Sequence, residues 1–316
     1  MNLTDRLQSD DASVRRLAVL DLPYSDEVDD IVPLLVRALA DPSAEVRLEA
    51  AQALEGYEDL DALTALAALL KDPDEAVREA TAHTLAELKE VPSAQALLPY
   101  LGDADPWVQA AALHAIKALR VPDALEPALS ALDSPHASVR REAVGVLAYL
   151  KQTPTLGALT RMAVHDTDAD VRRAAVGALG FAEDAGEVNV QPTLSRALSD
   201  STWQVREEAA ATLGKLGLAQ GCASLIAAME DSYWQVRLKA ARSLGRLRAR
   251  EALGALSLAL EHPISNLRKE AVIALGELRD TRAIPALERA LGDADPDVRK
   301  LAKLALAQLN MPEQHA

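Results

Sequence analysis

The sequence has one cysteine, one phenylalanine and three tryptophans in 316 residues. A lone thiol, Cys222, excludes an internal disulfide framework. Aromatic residues make up only 3% of the chain, so its core must be built from Ala, Leu and Val rather than from ring bulk. No run of about 18 apolar residues occurs, and Met1–Asp11 has no apolar signal core. The chain is therefore expected to be cytoplasmic, neither spanning a membrane nor exported by a standard signal. Bases are outnumbered, 33 Lys and Arg against 48 Asp and Glu, for a net charge of −15. That balance argues against nucleic acid as a partner of the whole chain, since phosphate contacts need a basic surface. A Gly-rich phosphate loop, a Ser-x-x-Lys motif and a Cys-x-x-Cys pair are all missing.

What is abundant is repetition. A Val-Arg pair followed by an alanine-rich run recurs at Val14-Arg15, Val46-Arg47, Val77-Arg78, Val139-Arg140, Val171-Arg172, Val205-Arg206, Val236-Arg237 and Val298-Arg299. Val108-Gln109 and Leu267-Arg268 are variants of it. The ten anchors are spaced 32, 31, 31, 31, 32, 34, 31, 31 and 31 residues apart. Each unit reads as two helices. In the last, Ile284, Leu287 and Leu291 mark the first helix, with Pro285 in its first turn, where a missing N–H costs nothing. Gly292-Asp293-Ala294-Asp295-Pro296 makes the turn. Val298, Ala302, Ala305, Leu306 and Leu309 mark the second. Leu213-Gly214-Lys215-Leu216 shows a typical close. One amphipathic pair cannot bury both its faces, but stacked copies can. The expectation is an all-α solenoid of about ten two-helix units forming a single domain over 1–316. Capping units are expected at about 1–24 and 282–310.

An Asp in the turn, then Val-Arg, then Ala-Ala-x-Ala-Leu-Gly-x-Leu resembles HEAT repeats of the phycobilisome-lyase-like subclass, across essentially the whole chain. The resemblance implies a ladder of Asp and Arg along the inter-helix turns. Asp41, Asp72, Asp103, Asp166, Asp200, Asp231 and Asp293 each lie five residues before an anchor. They stand where a turn or helix N-terminus needs an acceptor, and each Arg can reach a neighbouring turn. Gln109 and His262 break the pattern. The resemblance also covers di-iron hydroxylases, which need His-Glu pairs two and three residues after the anchor. Here Glu49, Glu142, Glu208 and Glu270 follow Leu48, Arg141, Glu207 and Lys269, so that activity is excluded.

The resemblance places the second helices on the concave face. Helical geometry then exposes positions two, three and six after the anchor. Small residues line the middle of this face: Ala110, Ala111, Gly145, Ala174, Gly177 and Ala211. They either leave room for a ligand or permit tight curvature. Leu17 and Leu20 stand at one end, and Ile273, Leu301 and Leu304 at the other. Residues 1–160 hold 27 acids and 13 bases, whereas residues 161–316 hold 21 and 20. No acid occurs from Ser232 to Arg250, a run that points Lys239 and Arg242 into the groove. Such segregation steers and orients a partner.

Trp203 and Trp234 occupy equivalent positions in adjacent units, beside Tyr233, and Trp107 lies one residue nearer its anchor. In a chain so poor in aromatics they mark a contact surface. His83 and His114 share position six in adjacent units and are weak metal candidates. Cys222 reads as a small core residue. An acidic insertion around Phe181–Gln191 (Glu183, Asp184, Glu187) reads as an enlarged loop. No cofactor and no catalytic residue is expected. The expected function is non-enzymatic binding of a protein partner, as scaffold, adaptor or assembly chaperone, through Trp107, Arg141, Arg173, Trp203, Tyr233, Trp234, Lys239 and Arg242. The resemblance carries an alternative, a bilin lyase subunit or tetrapyrrole-handling protein, in which Arg141 and Arg173 would pair with propionates.

Overall fold

The computed structural model describes residues 2–182 and 189–310. Glu183, Asp184 and Glu187 of the acidic insertion, and His315 of the tail, lie outside the described residues. The described residues are helical without strands, and they form two compact units, Met1–Leu150 and Lys151–Ala316.

The first unit contains α1 (Leu3–Leu7), α2 (Ala12–Asp21), α3 (Val32–Ala38), α4 (Ala44–Ala53), α5 (Leu60–Ala68), α6 (Glu75–Ala86), α7 (Pro106–Ile116), α8 (Leu125–Ala131) and α9 (Ala137–Leu150). The second contains α10 (Leu156–His165), α11 (Ala169–Ala178), α12 (Val190–Ala197), α13 (Trp203–Lys215), α14 (Cys222–Ala228), α15 (Trp234–Arg246), α16 (Leu253–Ala259), α17 (Ser265–Glu277), α18 (Ile284–Ala290) and α19 (Pro296–Asn310). Within each unit the longer second helices stack in sequence, α2 on α4 on α6 on α7 on α9, and α11 on α13 on α15 on α17 on α19. Outside the fourth repeat, each second helix also packs on the first helix of its own repeat, so within each unit successive repeats contact one another as in a solenoid.

Sequence explains the helix starts. Asp11, Asp74, Asp105 and Asp168 accept backbone N–H bonds as N-caps of second helices. The anchors are buried from Val46 onward, while Val14, in the first repeat, is only half-buried. Four residues beyond nine of the ten anchors the chain places Ala18, Ala50, Ala112, Ala143, Ala175, Ala209, Ala240, Ala271 and Ala302, all fully buried. Alanine there lets neighbouring helices approach closely.

One repeat departs from the two-helix expectation. In the fourth, the first helix is replaced by two 3-10 segments, Val91–Ala96 and Leu98–Tyr100. Pro99 is the reason. It lies a full two turns into the segment, where it removes an N–H and clashes with the carbonyl four residues back. Leu97 and Leu101 still reach the core.

Candidate functional site

The turns form a ladder. Arg15 holds the Asp41 carboxylate of the next turn with two bonds, Nε–Oδ2 at 2.7 Å and Nη2–Oδ1 at 2.8 Å. Arg47 holds Asp72, Arg172 holds Asp200, Arg206 holds Asp231 and Arg268 holds Asp293 in the same way. The remaining Nη1 of each arginine donates to carbonyls of its own turn, as Arg47 does to Asp41 and Pro42. Each aspartate also accepts the N–H two residues on, such as Ser43 on Asp41 and Tyr233 on Asp231. One carboxylate thus closes its own turn and ties it to the previous one. Burial alone would raise the Asp231 carboxyl, but the Arg206 guanidinium and the Tyr233 N–H outweigh it and hold it below its ordinary value.

Aromatic rings cover some of these arginines. Tyr233 lies under the Arg206 guanidinium at 5.6 Å, and Trp203 stacks on Tyr233 at 5.4 Å with the planes 12° apart. Tyr233 remains 45% exposed. The stack is therefore Trp203–Tyr233–Arg206. Trp234, the sequence equivalent of Trp203, is half-buried and lies outside it. Trp107, 39% exposed, lies under Arg78 at 5.6 Å and borders a cavity of about 660 Å³ with Lys71, Asp72, Asp103 and Asp105. Here Lys71, not Arg78, pairs with Asp103.

A second set of contacts crosses the solvent-facing side of the second helices. Arg16 pairs with Glu49, and Arg242 with Glu270 through two bonds of 3.0 and 2.6 Å. Glu142 accepts from His114 Nδ1 at 2.9 Å and lies 3.3 Å from Lys117 and 3.1 Å from Arg141. Burial would push the Glu142 carboxyl up, but the His114 hydrogen bond and the Lys117 charge reverse this and hold it at about 2. The glutamates three residues past the anchor, set aside by sequence as failed iron ligands, are in three cases cross-helix ion-pair partners.

Arg242 and Arg141 are thus engaged within the chain, Lys239 lies 3.9 Å from Glu207, and Arg173 is exposed. His83 is exposed and takes no part in the His114 cluster. Among the described residues no group of three or more His, Cys, Asp or Glu is placed to hold a metal. Gly145 and Gly177 prove not to be open room: Lys117 lies over the first and Glu208 over the second. Cys222 is buried, and burial with nearby Glu251 raises its thiol. Leu17, Leu20 and Leu304 are exposed, whereas Ile273 and Leu301 are half-buried. Sequence placed Arg206 and Arg78 in the turn ladder but missed their contacts with Tyr233 and Trp107, and it missed Lys117. The signal was available for Arg206, because an aromatic residue three before the next anchor falls over the ladder arginine.

Among the described residues no helix is long and apolar enough to cross a membrane. No curated protein matches the chain. Many solved structures share its fold, among them these three. An engineered protein is 23% identical over 98% of this chain and all of its own, with a TM-score of 0.54. Kap95p, solved bound to RanGDP, is 16% identical over 97% of this chain and 49% of its own, with a TM-score of 0.65. YibA of Escherichia coli is 18% identical over 96% of this chain and all of its own, with a TM-score of 0.57. The model of HEAT repeats matches residues 1–86, 32–117, 94–180, 158–234 and 222–307. With its two-helix period, its buried alanine seam and its turn ladder, the chain belongs to the HEAT repeat family.

Proposed function

We propose that the chain works without catalysis, as a scaffold or adaptor that binds a protein partner. The observation that carries this reading is the Trp203–Tyr233–Arg206 stack on the turns of the second unit, which leaves Tyr233 exposed over a half-buried Trp203 and Arg206. A half-exposed aromatic pair backed by a charge-paired arginine is a rigid anchor of the kind that dominates protein interfaces. Kap95p, a structural neighbour, binds RanGDP, which agrees with a repeat surface used for protein recognition. Trp107 over Arg78 offers a second anchor of the same chemistry in the first unit. The turn pattern also supports a finer reading, a phycobilisome-lyase-like repeat protein handling a bilin. A new visible absorption band on incubation with bilin would favour that over a protein partner.

The test is site-specific photo-crosslinking in the source cells. A crosslinker at Tyr233 should give one discrete protein adduct, absent when the crosslinker is placed at Glu126 and reduced about tenfold by Trp203→Ala. An equal, diffuse set of adducts from both positions would overturn the proposal.

A further inference from the structure

The repeats supply their own control for what a ladder arginine requires. Arg206 and Arg268, on either side of Arg237 in the series, each hold the carboxylate of the next turn through Nε and Nη2. Arg237 has no such carboxylate, because His262 stands where the next turn would place an aspartate. The Arg237 guanidinium is turned over, and its Nε donates to the Asp231 carbonyl of its own turn. Among the described residues it forms no ion pair, and its two terminal nitrogens have no hydrogen-bond partner.

His262 keeps only half of the aspartate's role. Its Nδ1 accepts the Ile264 N–H at 3.1 Å, which closes the turn and leaves the ring proton on Nε2. Burial and the flanking charges of Arg237 and Arg268 disfavour its protonation. Arg268 is satisfied by Asp293. Asp231 feels the Arg237 charge, but its carboxylate is held by Arg206, so the local balance is one guanidinium without an ion pair beside a neutral imidazole, in a segment with no acid from Ser232 to Arg250.

We infer that the Arg237–His262 turn is a carboxylate-binding site, taking the Asp or Glu side chain of a protein partner in place of the missing ladder aspartate. The ladder fixes the chemistry: in five rungs the same arginine position grips a planar carboxylate with two parallel bonds, a geometry that suits guanidinium and carboxylate specifically. The imidazole Nε2–H adds a further donor. The half-exposed Ile264, two residues past His262, offers apolar contact to a residue beside the acid. This deepens the protein-binding reading given above and rests on it.

The decisive variant is His262→Asp, which supplies the absent carboxylate from within the chain. The full-length protein is panned with a random peptide display library at low salt. The binders are then measured against wild type, His262→Asp and Arg237→Gln. Enriched peptides should carry Asp or Glu. Their affinity should fall about tenfold or more in both variants and on amidation of the peptide acid. His262→Asp should also melt a few degrees above wild type, since it completes a rung. Peptides that lack an acid, or that bind His262→Asp as well as wild type, would overturn this inference while leaving protein binding intact. An unchanged or lower melting temperature for His262→Asp, with no acidic peptide enriched, would also overturn it. In that case the crosslinking at Tyr233 decides the broader reading independently.

Discussion

At the residue scale the repeats make each position a comparison with its equivalents. Thr81 shows this. It lies four residues past its anchor, where the other nine repeats place alanine. It is fully buried, and its hydroxyl has no hydrogen-bond partner. A buried hydroxyl without a partner loses its water and gains nothing in exchange. Thr81→Ala removes that group and adopts the better helix former. We predict that it stabilises the chain by about 1 kcal/mol, read as a higher urea midpoint at unchanged slope. Thr84 and Ser243 show the contrast. Their hydroxyls donate to Ala51 and Ala210 carbonyls of the preceding second helix at 3.0 and 2.7 Å, so they are satisfied links between repeats.

At the scale of helices, close approach decides which substitutions are tolerated. The glycine of Leu213-Gly214-Lys215-Leu216 reads in sequence as part of a helix close. In the structure it is the point where α13 meets α15: a methyl group on Gly214 would lie 2.5 Å from the Ser243 Cβ and 2.8 Å from its Cα. Gly245 meets the Ala274 backbone of α17 at a similar distance. Alanine is the better helix former by about 1 kcal/mol, so propensity alone predicts a gain for Gly214→Ala. Overpacking against backbone outweighs it. The expected result is a net loss of about 2 kcal/mol, with α13 and α15 amides exchanging faster with solvent. A stabilised protein would show that the helices can separate at little cost. The fourth repeat makes the same point with proline, since Pro99 turns an expected helix into 3-10 segments whose leucines still fill the core.

At the scale of the whole molecule, charge divides with the structure. Residues 1–150 hold 27 acids and 12 bases, and residues 151–316 hold 21 of each, so the entire net charge of −15 falls in the first unit. Self-repulsion there opposes folding and is weakened by salt. Raising NaCl from about 10 mM to about 1 M shortens the screening length from about 30 to about 3 Å. Amide exchange in residues 1–150 should slow relative to residues 151–316 in the intact chain. Equal responses in the two units would show that local ion pairs, not net repulsion, set the stability of the first.

The sequence by itself determined the period, the helical class, the turn aspartates and the buried anchors. Those follow from local chemistry repeated along the chain: a turn aspartate in most units, a helix former and an apolar residue at fixed spacing need no knowledge of what lies beside them. It also made the aromatic poverty of the chain visible, and with it Trp203 and Tyr233. Only the tertiary structure decided which partner each side chain takes. Lys239 and Arg242 read as free groove cations, but the neighbouring second helix brings Glu270 to Arg242. Gly145 and Gly177 read as open space and are covered by Lys117 and Glu208. His262 reads as a local irregularity, and becomes meaningful once Arg237 is seen facing a turn without a carboxylate. In each case the deciding contact joins residues about 30 positions apart, and stacking of helices, not sequence spacing, sets that register.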